Sequence, residues 1–164
     1  MGKNISRKNA QKAQDKIGNK GQDGWPPRGT KGTREGYLKN KENIFDLVDL
    51  IRETSFSLHR YLRYGHLEKV YENGLAHRLQ KKGMVVEQQY PLKVYDEDGT
   101  VLGEYFADLF VESKIIVELK ACRALAPEHT AQILGYLRAC RVEHGILINF
   151  GATKLEIKKY VLSD

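Results

Sequence analysis

The sequence contains few cysteines, few prolines and no long apolar segment. Two of its 164 residues are cysteines and four are prolines. Cys122 and Cys140 lie eighteen positions apart without a CxxC pair, and no histidine stands at zinc-finger spacing, so neither a disulfide framework nor a structural zinc site is expected. No apolar run approaches the roughly 18 residues that span a bilayer, and no apolar signal-peptide core is present. We therefore expect a cytoplasmic protein with no membrane contact.

Positive charge is concentrated at the N-terminal end of the chain. Residues 1–40 hold ten Lys and Arg against three acidic residues, whereas the remainder holds seventeen against eighteen. The first 40 residues also carry seven of the fifteen glycines and almost no periodic apolar residues. We expect 1–40 to be a disordered basic tail and 41–164 to be one folded domain. The tail either adds salt-sensitive affinity for phosphate backbones, acts as a solubilising leader, or follows a start codon placed upstream of the true one.

The first part of the folded region has helical periodicity. Apolar residues follow a three-four spacing after Asn43, a plausible N-cap, until Gly65 interrupts the pattern. A second periodic segment leads to Gly83, which suits the end of a helix. A pair of helices is predicted.

The pattern after Gly83 changes to that of strands. Strands are predicted over 84–94, 101–111 and 115–120, with an Asp-Gly turn at 96–99 that indicates a hairpin. A helix then opens at Pro127 and runs to about Cys140, and 145–150 is a buried strand. This crossover predicts a parallel pair of strands. Residues 154–162 suit either an edge strand or a short helix, and the whole predicts a mixed-sheet α/β sandwich.

Two carboxylates and an amine fall on adjacent predicted strands. Because side chains alternate along a strand, Glu118 and Lys120 point to the same face. If the strands that carry Asp108 and Glu118 are joined by a tight turn near Ser113, the two carboxylates lie close together across the ladder. This arrangement offers two hard oxygen ligands beside a cationic side chain.

The same residues carry a resemblance to a known family. The spacing Asp108-x9-Glu118-x-Lys120 is similar to the signature of the PD-(D/E)XK nuclease superfamily, although Ala107 stands where the superfamily's name has proline. Gly65-x-x-Glu68-x-x-Tyr71 reproduces a Gly-x-x-Glu-x-x-Tyr motif, and the chain from about Phe45 to Phe150 resembles the GxxExxY protein family. A helix with Gln132 and Tyr136 resembles the Gln-x-x-x-Tyr helix of RecB-type nucleases.

The resemblance implies a restriction-endonuclease-like, RecB-like core of order α-β-β-β-α-β. Glu68 would be the carboxylate from the early helix, Lys120 the catalytic amine, and Gln132 a supporting residue whose helix closes the site.

The metal ligands would be Asp108 and Glu118, with the backbone carbonyl of Leu119 by analogy with the superfamily and with Glu68 as a further ligand. Three more residues would support the site: Tyr71, Glu72 and Tyr136.

The chemistry implied is phosphodiester hydrolysis with Mg2+ or Mn2+. Mg2+ prefers octahedral oxygen coordination and usually keeps several waters with one or two protein carboxylates. Lys120 could orient or deprotonate a water, or pair with the scissile phosphate. As a base it would need a pKa lowered by burial. Whether one or two metals bind is left open.

Each candidate also has a plain structural interpretation. Glu68 and Glu72 lie four apart on one helix face, where both could be solvated surface carboxylates. Tyr71 and Tyr136 could be half-buried core aromatics with a polar tip. Lys120 could be an ordinary lysine at a sheet rim.

Three functions are therefore weighed. The first is a metal-dependent nuclease acting on DNA or RNA, with DNA favoured over RNA. The second is a catalytically silent nucleic-acid-binding or accessory module, motivated by the near-neutral charge of 41–164, since a nuclease usually needs a positive track. The third is a protein-interaction domain whose carboxylates are merely surface charge. A homodimer is left open.

Overall fold

The computed structural model describes residues 43–162. The basic tail and its boundary near residue 40 lie outside the described residues, so their predicted character stays a prediction. Within 43–162 the chain forms three helices and five strands. In chain order they are α1 Ile44–Leu62, α2 Glu68–Lys81, β1 Val86–Tyr95, β2 Val101–Val111, β3 Ile115–Lys120, α3 Pro127–Cys140, β4 His144–Asn149 and β5 Glu156–Val161.

Helix α1 begins where its sequence predicts. The side chain of Asn43 accepts a hydrogen bond from Phe45 N at 3.0 Å, which satisfies one of the free amides of the first turn. The apolar face of the helix is buried in the core through residues that include Leu47, Ile51 and Leu58. The predicted N-cap and helix are confirmed.

Helix α2 ends in a Schellman motif. Gly83 has a φ of +82°, and its N–H donates to Gln80 O at 2.9 Å. The N–H of Met84 donates to Leu79 O at 3.1 Å. These two bonds satisfy the last carbonyls of the helix. They also keep Met84 in the helix terminus, so the prediction that a strand starts at Met84 is wrong by two residues.

The five strands form one mixed sheet in the order β1-β2-β3-β4-β5. Strands β3 and β4 are parallel, as the crossover through α3 predicts, and the other neighbouring pairs are antiparallel. The open choice for 154–162 is resolved in favour of an edge strand, β5. The predicted α-β-β-β-α-β core is present. The structure adds two elements to it: a second helix before the sheet, and the strand β5 at the end.

The sheet separates two clusters of buried side chains. The larger packs α1 and α2 against one face, with Leu109, Val117 and Ile148 among its members. The smaller packs α3 against the other face around Ile116 and Leu137. Glu118 and Lys120 follow Ile116 at alternate positions of β3, on the side of the sheet that carries α3. No helix within residues 43–162 is long and apolar enough to cross a membrane.

Candidate active site

Asp108 and Glu118 approach each other where β2 and β3 separate. Leu109 pairs with Val117 in this antiparallel ladder, and the next step places Asp108 opposite Glu118. Both carboxylates are buried, with exposures of 9% for Asp108 and 3% for Glu118. Asp108 Oδ2 accepts a hydrogen bond from Leu119 N at 2.7 Å, and the N–H of Asp108 in turn donates to the Glu118 carboxylate. Backbone donors therefore orient both acidic side chains.

One carboxylate oxygen of this pair has no partner. Glu118 Oε2 is buried without a hydrogen-bond partner among the described residues. Burial, reinforced by the charge of Asp108, raises the pKa of Glu118 to about 7. A buried oxygen without a donor is destabilising unless a cation or a proton reaches it. Glu118 Oε2 is therefore an atom at which a cation or a proton would be stabilising.

Lys120 lies beside this pair. Its Nζ donates to Glu118 Oε1 at 2.8 Å, and the side chain is 13% exposed. Burial alone would lower the pKa of Lys120, but the hydrogen bond to Glu118 and the nearby carboxylates outweigh it and raise the pKa above its ordinary value. A raised pKa favours the ammonium form of Lys120 in the metal-free protein. The lowered pKa that a general base would need is not found.

Glu68 reaches the site from the first residue of α2. The preceding loop turns at Gly65, whose φ of +108° strongly favours glycine. Burial raises the pKa of Glu68, Lys120 opposes this rise, and Asp108 adds to it, while the backbone N–H of Ala121 donates to the carboxylate. These interactions place Glu68 within electrostatic reach of the carboxylate pair.

Tyr71 holds the loop that leads to Glu68. Its hydroxyl donates to Arg63 O at 2.8 Å and accepts from His66 N at 3.2 Å. The ring is fully buried and stacked on Phe150, with centroids 4.8 Å apart. Tyr71 is thus a core aromatic with a bonded polar tip, and its contact with the site is indirect, through the loop before Glu68.

Glu72 is not a solvated surface residue. It is 2% exposed and accepts hydrogen bonds from Lys69 Nζ at 2.6 Å, from Gln88 Nε2 at 2.9 Å and from Gln89 Nε2 at 3.0 Å. The same amide of Gln89 lies 3.3 Å from Asp108 Oδ1. Glu72 therefore joins the carboxylate cluster through an amide bridge.

Gln89 is the residue that the sequence interpretation missed. It lies on β1 opposite Asp108, between the ladder pairs Gln88–Leu109 and Tyr90–Ala107, and has a φ of +51°. That left-handed conformation is uncommon for a residue other than glycine and clusters at functional sites. Its only signal in the sequence is a Gln-Gln pair inside a strand, where alternation predicts that one member faces inward.

Gln132 and Tyr136 act as a unit on α3. Gln132 Nε2 donates to the Tyr136 hydroxyl at 2.8 Å, and Tyr136 is 8% exposed. Burial raises the pKa of Tyr136; the bond from Gln132 lowers it, and the charge of Glu118 raises it further. The tyrosine hydroxyl therefore lies near the carboxylates, while Gln132 contacts Tyr136 rather than a carboxylate.

The donor set fits a hard divalent cation. Within residues 43–162, no three His, Cys, Asp or Glu side chains are gathered closely enough to hold a metal ion by themselves. Mg2+ does not require three, since it commonly takes one or two carboxylates and completes its octahedron with waters or a carbonyl. The unpartnered Glu118 Oε2 next to Asp108 supplies the negative charge and free lone pairs that such an ion needs.

Two clefts flank this cluster. One, of about 520 Å3, lies along the loop before α2 and the chain after β3, with Tyr64, His66 and Arg123 in its lining. The other, of about 670 Å3, lies between α3 and the β1–β2 hairpin, and Gln132 and Tyr136 line it.

Comparisons with known proteins bear on this arrangement. A family model described as the PD-(D/E)XK nuclease superfamily matches residues 45–160. A search of the curated proteins found no match. The crystal structure of SSO0001 superposes with a TM-score of 0.44 and 14% identity, over 98% of this chain and 78% of that chain. That TM-score is too low to establish a shared fold, and we draw no function from it.

Proposed function

Because the chain belongs to the PD-(D/E)XK nuclease superfamily, we propose that it is a divalent-metal-dependent nuclease that hydrolyses phosphodiester bonds, in DNA rather than RNA. The observation that carries the proposal is the buried Asp108–Glu118 pair, with one unpartnered carboxylate oxygen, beside the ammonium of Lys120. Acidic ligands for a metal and a cation for a phosphate occupy one small volume. Hydrolysis of a phosphodiester needs both.

Asp108 and Glu118 would hold Mg2+ or Mn2+ together with the Leu119 carbonyl, and Glu68, which is not gathered with the pair closely enough to complete a three-carboxylate set, would contribute through a bound water. A bound ion of this kind supplies charge stabilisation at the phosphate and a water of lowered pKa. The Leu119 N–H already orients Asp108, so the carboxylate needs little reorganisation to bind. The positions of the remaining ligands stay predictions.

Lys120 would act through its charge. As an ammonium ion it can hydrogen-bond a non-bridging phosphate oxygen and offset the negative charge that develops during attack. Its bond to Glu118 holds the amine beside the scissile group. Of the roles that its position allows, phosphate pairing and water orientation agree with the raised pKa better than proton abstraction does.

Glu68, Gln132 and Tyr136 would complete the site from the two flanking helices. Glu68 faces Lys120 from α2 and could orient a water between them. Tyr136, held by Gln132, presents its hydroxyl toward the carboxylates from α3. Together the two helices restrict the approach of solvent to the strand ends.

Cleavage assays test the proposal directly. Full-length protein would be incubated with labelled single- and double-stranded DNA and RNA, in Mg2+, in Mn2+ and in EDTA. We expect metal-dependent cleavage that Asp108→Asn and Lys120→Ala abolish. Glu53→Gln on α1 and Lys81→Ala at the opposite end of α2 from Glu68 are matched controls, because both side chains are exposed and neither lies on a strand that carries the site. Cleavage that persists in both site variants would contradict the assignment.

The second candidate is a nucleic-acid-binding module that keeps the fold without turnover. The near-neutral charge of residues 41–164 favours it, because phosphate binding benefits from a positive surface. Calorimetric titration with Mn2+ separates the two. Absence of Mn2+ binding, together with salt-dependent affinity for nucleic acid, would favour the binding module.

A further inference from the structure

A groove of about 670 Å3 lies between α3 and the β1–β2 hairpin, and Tyr136 forms part of its wall. We call it the tyrosine–arginine groove. The residues that give it its chemical character come from the end of β1, from β2, and from α3 with its C-terminal cap: Lys93, Tyr95, Tyr105, Tyr136, Arg138 and Arg141. None of the described residues that line it is acidic.

The cations of the groove differ in availability. Lys93 pairs with Glu104 at 3.2 Å, so its charge is already offset. No ion pair of Arg138 or Arg141 is found within residues 43–162, and both side chains are exposed. Guanidinium groups bind phosphate oxygens through two parallel hydrogen bonds. The two arginines therefore offer phosphate sites on a domain whose overall charge is nearly neutral.

Aromatic rings supply the other half of the groove. Tyr95 is 56% exposed and Tyr105 is 50% exposed, which is high for aromatic side chains beside a cavity. The Tyr105 ring lies 5.9 Å from that of Tyr136 and is tilted against it, so one of its faces remains available. Unstacked bases bind such faces, whereas the bases of a duplex are already stacked on each other.

Tyr136 connects the groove to the candidate active site. Gln132 and Tyr136 line the groove. The Tyr136 hydroxyl also interacts electrostatically with Glu118, Lys120 and Asp108. A strand lying along Arg138 and Tyr105 would therefore reach the carboxylates at the wall formed by Tyr136. This connection and the positive charge indicate a polyanion rather than a second copy of the chain.

We propose that the tyrosine–arginine groove binds a single strand of nucleic acid, with phosphates on Arg138 and Arg141 and with bases against Tyr105 and Tyr95. This inference rests on the proposed nuclease function and adds the form of the substrate. The groove delivers an unpaired strand to the carboxylates.

Fluorescence anisotropy of the full-length protein in EDTA, where no divalent metal supports cleavage, tests the groove. The probes are labelled single-stranded DNA, single-stranded RNA and a DNA duplex of equal length. We expect tighter binding of single strands than of the duplex. Replacing Arg138 and Arg141 together by alanine should weaken binding about tenfold and reduce the salt slope by roughly 1.4, as for two lost phosphate contacts. Tyr105→Ala should weaken binding about tenfold at an unchanged salt slope.

A double variant with Lys81→Ala and Lys158→Ala removes two exposed charges outside the groove and serves as the control. Its affinity should match that of the parent. The proposal would be overturned if the control lost as much affinity for single strands as the groove variants do. Unchanged binding in the groove variants, or tighter binding of the duplex than of single strands, would also overturn it. A dimer that Tyr105→Ala dissociates in sedimentation would also overturn it, because the groove would then be covered by a second copy.

The failure of this proposal differs from failure of the nuclease assignment. If Asp108→Asn abolishes cleavage while the groove variants bind and cut like the parent, the groove proposal fails alone. If no metal-dependent cleavage occurs but the groove variants lose single-strand binding, the nuclease assignment fails and the groove stands.

Discussion

Gln89 Nε2 lies 3.3 Å from Asp108 Oδ1 and 3.0 Å from Glu72 Oε2, so one side-chain amide bridges two buried carboxylates. The bridge requires a left-handed backbone at Gln89, with a φ of +51° inside a strand. Burial raises the pKa of Asp108, and repulsion from the Glu72 carboxylate raises it further. The hydrogen bond from Gln89 opposes this rise. In the proposed nuclease, Gln89 would be a positioning residue, because it would act on the metal through Asp108.

Replacement of Gln89 should weaken the metal site more than the fold. Gln89→Ala removes the donor between two buried carboxylates, which costs about 1–3 kcal/mol per unsatisfied group. We expect a weaker apparent affinity for Mn2+ by calorimetry and a lower kcat at saturating substrate. Gln89→Gly removes the same donor but suits the left-handed backbone, so it should lose metal affinity with a smaller loss of thermal stability than Gln89→Ala. Equal Mn2+ affinity in all three proteins would exclude a positioning role.

The metal-free protein should lose stability as pH rises. Glu118 has an unperturbed pKa of 4.5 and a folded-state pKa of about 7, so the native state binds more protons than the unfolded state between these values. The contribution of Glu118 to the free energy of unfolding is therefore largest below about pH 4.5. It falls by on the order of 3 kcal/mol as the pH rises to about 7. The raised pKa values of Glu68 and Asp108 act in the same direction.

Thermal melting in EDTA at pH 5 to 8 measures this effect. The fall in Tm should be smaller in Glu118→Gln, which has no charge to bury. Mg2+ added at high pH should restore part of the stability of the parent protein, but less in the variant. A parent and a variant with the same pH profile would show that Glu118 is ionised in the metal-free state at no cost.

Tyr71→Phe should separate loop positioning from core packing. The substitution keeps the ring stacked on Phe150 but removes the hydroxyl that binds Arg63 O and His66 N. We expect a stability loss of about 1–2 kcal/mol in denaturant unfolding. We also expect a decrease in kcat, because Glu68 follows directly from this loop. Tyr61→Phe, which changes a tyrosine that is 75% exposed, is the matched control and should alter neither quantity.

Gly151→Ala should displace the chain that follows Lys120. A Cβ at this position would lie 2.4 Å from Ala121 C and 2.4 Å from Cys122 N, both of them backbone atoms that cannot move aside cheaply. We expect destabilisation of roughly 1–3 kcal/mol together with reduced activity. Gly135→Ala is the control for stability alone, because its Cβ would meet nothing within 4 Å and alanine favours the helix, while Gly135 itself lines the tyrosine–arginine groove. A Gly151→Ala protein as stable and active as the parent would contradict the packing described here.

Local rules account for the parts of the protein that were predicted well. The N-cap at Asn43, the glycine after α2 and the Asp-Gly hairpin depend on neighbouring residues, and each is present. Strand alternation places Glu118 and Lys120 on one face, and the short turn after Val111 sets the register that brings Asp108 opposite them. The predicted strand start at Met84 is wrong because the N–H of Met84 donates to Leu79 O and closes the end of α2 instead.

The sequence by itself determined the Asp108–Glu118–Lys120 cluster, because strand period and turn length act over a few residues. Only the tertiary structure decided that Glu72 is buried, that Gln89 bridges it to Asp108, and that Lys120 stays charged. It also decided that Tyr105 and Arg138 share a groove. These features depend on the packing of α2 and α3 against opposite faces of the sheet. Burial and long-range charge then set the protonation of the site, and no local pattern in the chain encodes them.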